Sequence, residues 1–84
     1  MRRQHYMTLC IRNTEVTYLV KDTIIEVTFE QSINKGFNEL ILDIENNIIK
    51  NDGFNESDIA YYKRFLENNR ACIIEEIEME LNNA

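Results

Sequence analysis

The sequence predicts an α+β fold in which a three-stranded antiparallel meander is followed by two helices, the second one long and amphipathic. Three observations lead to this prediction. β-Branched and aromatic residues dominate the first third of the chain, apolar residues later recur every three or four positions, and 84 residues suffice for one hydrophobic core. We therefore expect a single domain over residues 1–84, with strands within about 5–30 and helices over about 38–50 and 57–81.

Three early segments give the three strands. Residues 6–11 and 16–20 are rich in Tyr, Thr, Val, Leu and Ile, which suit a half-buried pleated surface, and residues 13–15 between them supply turn chemistry. Residues 23–30 then alternate between apolar and polar side chains. The apolar face is Ile25, Val27 and Phe29, and the polar face is Glu26, Thr28 and Glu30. This period of two predicts an antiparallel strand with one polar face.

The first helix is predicted from a cap and a periodic apolar set. Asn38 is a good N-cap residue, and Glu39 would lie in the first turn, where the helix dipole favours negative charge. The apolar residues that follow recur at three- and four-residue spacing: Phe37, Leu40, Ile41, Ile44 and Ile48. This spacing places them on one helical face, and we expect the helix to end near Lys50.

The second helix begins after a repeat of the letters Gly-Phe-Asn-Glu, found at residues 36–39 and again at 53–56. We interpret the repeat as a turn followed by a capping Asn, not as an internal duplication. From Asp58 onward the apolar residues Ile59, Tyr62, Leu66, Ile73 and Ile77 trace one face. Residues 71–81 also fit a strand, because residues 76–81 alternate strictly, but Glu, Met and Leu favour a helix.

The length of this helix predicts a partner-binding surface. A helix over residues 58–81 would span about 36 Å, whereas a six-residue strand spans about 20 Å, so we expect the last turns to extend beyond the sheet. Glu76 and Glu80 fall beside the apolar strip, which would make an acid-rimmed hydrophobic patch, and tyrosines are favoured interface anchors. The predicted partner-binding residues are Tyr61, Tyr62, Ile73, Glu76, Ile77, Met79, Glu80 and Leu81.

Charge and composition limit the classes of partner. The chain has 15 acidic and 9 basic side chains and a net charge of −6, which disfavours direct binding to nucleic acid and favours a basic protein partner. The sequence has no signal-peptide core and no apolar run long enough to cross a membrane, so we expect a cytoplasmic protein without membrane contact. Abundant Ile and Asn are typical of AT-rich coding sequences, which suggests a low-GC bacterium or its phage or mobile elements.

The residues that usually carry chemistry are few. His5 is the only histidine, and Cys10 and Cys72 are far apart in the sequence and have no metal-ligand spacing, so we expect no metal site and no catalytic triad. Gly36 and Gly53 are the only glycines, which argues against a phosphate-binding loop. We therefore expect no cofactor and no enzymatic activity.

Three functions follow from these patterns. The leading hypothesis is a regulatory protein that acts through protein–protein contact, either as a homodimer or as a stoichiometric inhibitor of a basic-surfaced target. The second is an inhibitor that mimics nucleic acid and occupies the basic groove of a nuclease or DNA-binding protein, comparable in size and charge to some anti-CRISPR inhibitors. The third is a small enzyme or enzyme subunit acting through carboxylates and tyrosines.

Overall fold

The chain forms one five-stranded antiparallel sheet followed by one helix, in a computed structural model that describes residues 2–82. The strands pair in chain order, each with the next one along the sequence. The strands are β1 (Gln4–Leu9), β2 (Thr14–Lys21), β3 (Ile24–Ile33), β4 (Gly36–Asp43) and β5 (Ile48–Asp52). A short turn, Ile11–Asn13, links β1 to β2, and the helix is α1 (Glu56–Asn82).

The α+β class is confirmed, but the predicted three-stranded meander followed by two helices is wrong. Residues 38–50, predicted as the first helix, belong to strands β4 and β5 and to the turn between them. The reason is an ambiguity of period. Leu40 and Leu42 are fully buried while Ile41 between them lies on the opposite face, so a two-residue repeat explains this segment as well as a helical one does.

Local turn chemistry also supports two strands in this segment. Asn34 and Lys35 form a two-residue hairpin loop between β3 and β4, since Ile33 pairs with Gly36. Asn38, predicted as a helix cap, instead donates a side-chain hydrogen bond to Gln31 across this hairpin at 3.2 Å. The β3–β4 pairing extends over the whole of β4, from Gly36 to Asp43.

Asp43 closes the turn between β4 and β5. Its Oδ1 accepts hydrogen bonds from the backbone N–H groups of Glu45 and Asn47, both at 2.9 Å, and its Oδ2 accepts one from the Asn47 side chain at 2.9 Å. Asn46 has a φ of 72°, a left-handed conformation that Asn tolerates better than most residues. The turn therefore reverses the chain without a glycine.

Helix α1 confirms the prediction for residues 57–81 and shows that residues 71–81 are helical, not a strand. Its start is capped by Asn55, whose Oδ1 accepts the backbone N–H of Asp58 at 2.9 Å. Gly53, with a φ of 102°, makes the turn that leads from β5 toward the helix. No helix within residues 2–82 has the length and apolar character needed to cross a membrane.

The hydrophobic core lies between α1 and one face of the sheet. Tyr62 is at its centre, with its ring centroid 4.8 Å from that of Phe29 and 5.1 Å from that of Phe54. The Tyr62 hydroxyl shares a buried hydrogen bond with that of Thr14 at 2.7 Å, so the one polar atom of this side chain is satisfied. The buried apolar residues are Val16, Tyr18, Val27, Phe29, Leu40, Leu42, Phe54, Tyr62, Leu66, Ile73 and Ile77.

The other face of the sheet, called the open face below, has no helix packed on it in the described part of the chain. Period two fixes which residues it carries: on β3 these are Glu26, Thr28 and Glu30, because Val27 and Phe29 face the core. The predicted polar face of this strand is thus found on the open face. A sheet with one polar face is the usual form of an antiparallel meander covered on one side.

Candidate partner-binding surfaces

Three residues of the predicted partner-binding surface belong to the core. Tyr62 and Ile73 are 0% exposed and Ile77 is 5% exposed, so they contact the sheet and are not available to a partner while α1 is docked. The expected overhang is therefore much shorter than its length alone suggested, because α1 stays in contact with the sheet as far as Ile77. Apolar residues that recur along one helical face allow that face to pack against a sheet over the whole length of the helix.

The apolar part of the predicted strip that stays exposed is Met79 and Leu81, at 57% and 61% exposure. These two residues lie in the last turns of α1, and they leave a smaller patch than the strip expected from the sequence. The predicted homodimer loses the buried isoleucines as contact residues. It remains a prediction that rests on this reduced patch.

Tyr61 is half-buried and has a structural contact of its own. Its ring lies 5.2 Å from the guanidinium carbon of Arg12, and Arg12 also pairs with Asp58 one turn earlier on α1. Arg12 is in the turn between β1 and β2, where it has a φ of 67°. Tyr61 and Asp58 therefore fasten the start of α1 to this turn.

The remaining predicted residues, Glu76 and Glu80, come together with Met79 at the other end of the helix. With His5 of β1 and Tyr18 of β2 they line a surface cavity of about 440 Å³, called the C-terminal cavity below. Sequence reasoning placed the two glutamates beside an apolar strip but gave no indication of His5 or Tyr18, because their contribution depends on how α1 lies across β1 and β2.

The electrostatics of the C-terminal cavity are dominated by the two glutamates. Burial, and then the negative charges of Glu80 and Glu76, raise the pKa of the Tyr18 phenol to about 12, with smaller contributions from hydrogen bonding to both carboxylates. The phenol is protonated at neutral pH, as an unperturbed tyrosine is, and can donate to a carboxylate. Nearby, burial, Cys72 and Glu76 raise the pKa of Tyr6, whose hydroxyl donates to Asn69 at 2.9 Å.

A second acidic surface lies on the open face and was not predicted. Glu15 pairs with Glu30, Glu30 pairs with Glu39, and Glu39 pairs with Asp52, each directly opposite the next on adjacent antiparallel strands. Directly opposite residues point to the same face of a sheet. These four side chains, called the carboxylate row below, therefore form a line across β2, β3, β4 and β5.

The carboxylate row is only partly compensated by basic groups. Lys50 Nζ lies 2.8 Å from Glu39 Oε1, and His5 Nδ1 lies 3.2 Å from Glu15 Oε2. Glu39 in turn raises the pKa of Lys50 through a hydrogen bond and its charge. Glu30, in the middle of the row, makes no ion pair with any residue in 2–82. Like charges directly opposite each other destabilise a sheet, so the row lowers the stability of the fold when no partner is bound.

The surroundings of the row are mixed in polarity. Phe37, two residues before Glu39 on the same face of β4, is 58% exposed. On the other side of the row, Thr28 pairs with Thr17 and Ile41 and is only 3% exposed although it lies on the open face. The open face therefore carries apolar and neutral polar side chains beside the carboxylates.

The carboxylate row was not predicted from the sequence because it depends on the register of the strand pairing. Glu26 and Glu30 were assigned to a polar strand face, but Glu39 and Asp52 were assigned to a helix and its following turn. A one-residue slip would have turned these side chains to the other face. The signal that could have found the row is the alternation of Leu40, Leu42 and Ile44 after a two-residue loop.

Residues 2–82 contain no group of three or more His, Cys, Asp or Glu side chains arranged to hold a metal ion. Both surfaces place carboxylates where a cation can reach them. Comparisons with protein-family models, with curated proteins and with solved structures each find no match for this chain.

Proposed function

We propose that this chain is a non-enzymatic binding protein that occupies the basic groove of a nucleic-acid-binding protein, using the carboxylate row in place of a nucleic-acid strand. The observation that carries the proposal is the register of the sheet, which sets Glu15, Glu30, Glu39 and Asp52 side by side on an uncovered face. Residues that destabilise the fold locally are expected at functional sites. A partner rich in Lys and Arg would relieve the repulsion.

The spacing of the row supports mimicry of a phosphate backbone. Neighbouring strands lie about 4.8 Å apart, so the row extends about 14 Å across the sheet. One strand of duplex DNA carries a negative charge about every 3.4 Å along the helix axis. The row therefore has a linear charge density of the same order over its four acidic side chains.

The rigidity of the row supports the same proposal. β3 pairs with both neighbours over most of its length, which fixes the backbone beneath Glu15, Glu30 and Glu39. Side chains held on central strands lose less conformational entropy on binding than side chains on a mobile loop. A preorganised line of charge competes well with a flexible polyanion.

Phe37 gives the row an apolar neighbour. It is exposed, lies on the open face, and precedes Glu39 by two residues. Binding energy at protein interfaces is concentrated in a few residues, and those are enriched in aromatic side chains and arginines. We expect Phe37 to contribute affinity, and the carboxylates to contribute orientation and association rate.

The test compares two variants with equal net charge. Glu15→Gln/Glu30→Gln/Glu39→Gln removes three charges from the row, and Glu67→Gln/Glu75→Gln/Glu78→Gln removes three from exposed positions on α1. Each variant and the wild type are immobilised and exposed to lysate of the native host, and bound protein is eluted with duplex oligonucleotide. The proposal requires that the oligonucleotide displaces the bound partner, that the α1 variant retains the partner, and that the row variant loses it.

Two results would contradict the proposal. If both variants retain the partner equally, the row is not the binding surface. If salt releases the partner but the oligonucleotide does not, the interaction is electrostatic without mimicry of nucleic acid. Binding of a second copy of this chain instead of another protein would support the homodimer.

A further inference from the structure

The outer edge of β5 is open to pairing with another strand. β5 is the last strand of the sheet, no strand within residues 2–82 lies beyond it, and all of its residues are exposed. An edge of this kind carries backbone N–H and C=O groups that a further strand can bond. The register shift of β5 leaves Ile49 without a partner on β4, whereas Lys50, Asn51 and Asp52 pair regularly. Residues 50–52 therefore form a regular strand edge.

The alternation of hydrogen bonds in the sheet determines which backbone groups face this edge. In an antiparallel sheet, successive residues of a strand direct their N–H and C=O groups alternately to one neighbouring strand and to the other. A two-residue loop connects Ile33 to Gly36, which makes these residues a hydrogen-bonded pair, so the even-numbered residues of β4 bond to β3 and the odd-numbered ones bond to β5. The backbone N–H of Asp43 accordingly donates to the carbonyl of Asn47, just before β5, at 2.9 Å.

The same alternation continues on β5. Asp52 and Lys50 lie opposite the odd-numbered residues Glu39 and Ile41, so their backbone groups bond to β4. Asn51, between them, directs its backbone N–H and C=O groups away from β4 and toward the open edge. A strand that adds to this edge therefore bonds to Asn51.

The charges on either side of Asn51 favour a second copy of this chain as the added strand. If two β5 strands pair antiparallel about a two-fold axis at Asn51, Lys50 of each copy lies opposite Asp52 of the other, on the open face. Moving the axis to Lys50 sets two lysines opposite each other, and moving it to Asp52 sets two aspartates opposite each other. Opposed unlike charges stabilise a sheet and opposed like charges destabilise it, so the register centred on Asn51 is the favourable one.

We propose that β5 pairs with β5 of a second copy about a two-fold axis at Asn51, which joins the two sheets into one. An edge lysine usually discourages such pairing, but here Asp52 of the second copy offsets Lys50. The paired segment is short, and a standard interface buries about 800 Å² on each partner, so we expect a weak, reversible dimer. This dimer does not use Met79 or Leu81, and it does not rest on the proposed function.

Reversing one charge at a time tests the register. Sedimentation equilibrium of the wild type from micromolar to millimolar concentration should show a monomer–dimer equilibrium. Lys50→Asp and Asp52→Lys each set like charges opposite each other across the axis, so each should weaken the dimer at least about tenfold. Lys35→Asp makes the same charge change at an exposed position in the β3–β4 loop and should leave the dimer unchanged.

Mixing the two weakened variants provides the sharper result. In a mixed dimer, the variant Lys50→Asp supplies two acidic side chains and the variant Asp52→Lys supplies two basic ones, so every opposed pair has unlike charges. The equimolar mixture should therefore dimerise about as tightly as the wild type. A mixture as weakly associated as its components, or single variants that dimerise like the wild type, would overturn the proposal.

Hydrogen exchange of the wild type tests the edge without any substitution, and thermal unfolding verifies that each variant folds. The backbone amide of Asn51 should exchange more slowly as the protein concentration rises, because the dimer gives this N–H group an acceptor. A chain that remains monomeric up to millimolar concentration would contradict the proposal. So would a dimer in which the Asn51 amide gains no protection, including one whose protected region is the end of α1 around Met79 and Leu81.

Discussion

Glu30 lies directly opposite Glu15 on the neighbouring strand, and both side chains lie on the open face. Neither residue has Lys or Arg within ion-pair distance among the described residues, and only His5 contacts Glu15. Like charges directly opposite each other lower the stability of the folded sheet, and here they do so on a surface that no helix covers.

Neutralising the centre of the row should stabilise the fold. Glu30→Gln removes repulsion with Glu15 and Glu39 without breaking an ion pair, so the free energy of unfolding should rise by about 0.5 kcal/mol at low ionic strength. The gain should shrink at high salt, because salt screens exposed charges. Urea unfolding at two ionic strengths measures both effects.

The matched control has the opposite sign. Glu67 lies on α1 three residues from both Arg64 and Arg70, a spacing at which opposite charges attract. Glu67→Gln should therefore lower the free energy of unfolding slightly. A stabilisation by Glu67→Gln as large as that by Glu30→Gln would mean that reduced net charge, not the row, is the cause.

The buried hydrogen bond between Thr14 and Tyr62 should behave as a coupled pair. Thr14→Val or Tyr62→Phe alone leaves one buried hydroxyl without this partner and should each cost about 1–2 kcal/mol of unfolding free energy. The double variant should be more stable than the sum of the single losses predicts, since both polar atoms are gone. Strict additivity in urea unfolding would show that the bond has no net coupling.

The stability of the fold should fall in alkali. The pKa of Tyr18 is raised from 10 to about 12, so the folded chain holds this proton more tightly than the unfolded chain does. The stabilisation is fully present below pH 10 and is lost as the pH rises from 10 through about 12. Tyr18→Phe should flatten this part of the profile of urea midpoint against pH. Parallel profiles for the wild type and the variant would contradict the assignment.

The turn between β4 and β5 should be sensitive to acid. Burial opposes ionisation of Asp43, but hydrogen bonds from Asn47 and Glu45 outweigh it and lower the pKa of the carboxyl. The stabilisation is present above the usual Asp pKa and is lost as the pH falls through the lowered folded value. Asp43→Ala should cost about 1 kcal/mol at neutral pH and weaken the loss of stability in acid. An unchanged acid profile would contradict this.

The sequence was sufficient to predict the elements whose apolar periodicity fits only a strand or only a helix. The alternation in residues 23–30 corresponds to β3, and the long apolar face after Asp58 corresponds to α1 with its Asn55 cap. In residues 38–50 the apolar side chains fit both periods, and the choice of strand depends on pairing with β3, a tertiary contact that local sequence does not contain.

The candidate sites were predictable only in part for the same reason. Glu76, Met79 and Glu80 were named from helical spacing and do line one cavity. Tyr62, Ile73 and Ile77 were named from the same spacing, but the sheet covers the helix further along its length than strand length suggested. The carboxylate row depends on the register of four strands, which the sequence does not specify by itself.

Competition with a nucleic-acid ligand tests the central claim most directly. A fluorescent duplex is bound to the partner captured from the host, and its anisotropy is followed as this protein is added. Mimicry predicts stoichiometric displacement by the wild type and by Glu67→Gln/Glu75→Gln/Glu78→Gln, and displacement at least about tenfold weaker by Glu15→Gln/Glu30→Gln/Glu39→Gln. Equal displacement by the two triple variants, or a partner that binds this protein and the duplex together, would contradict it.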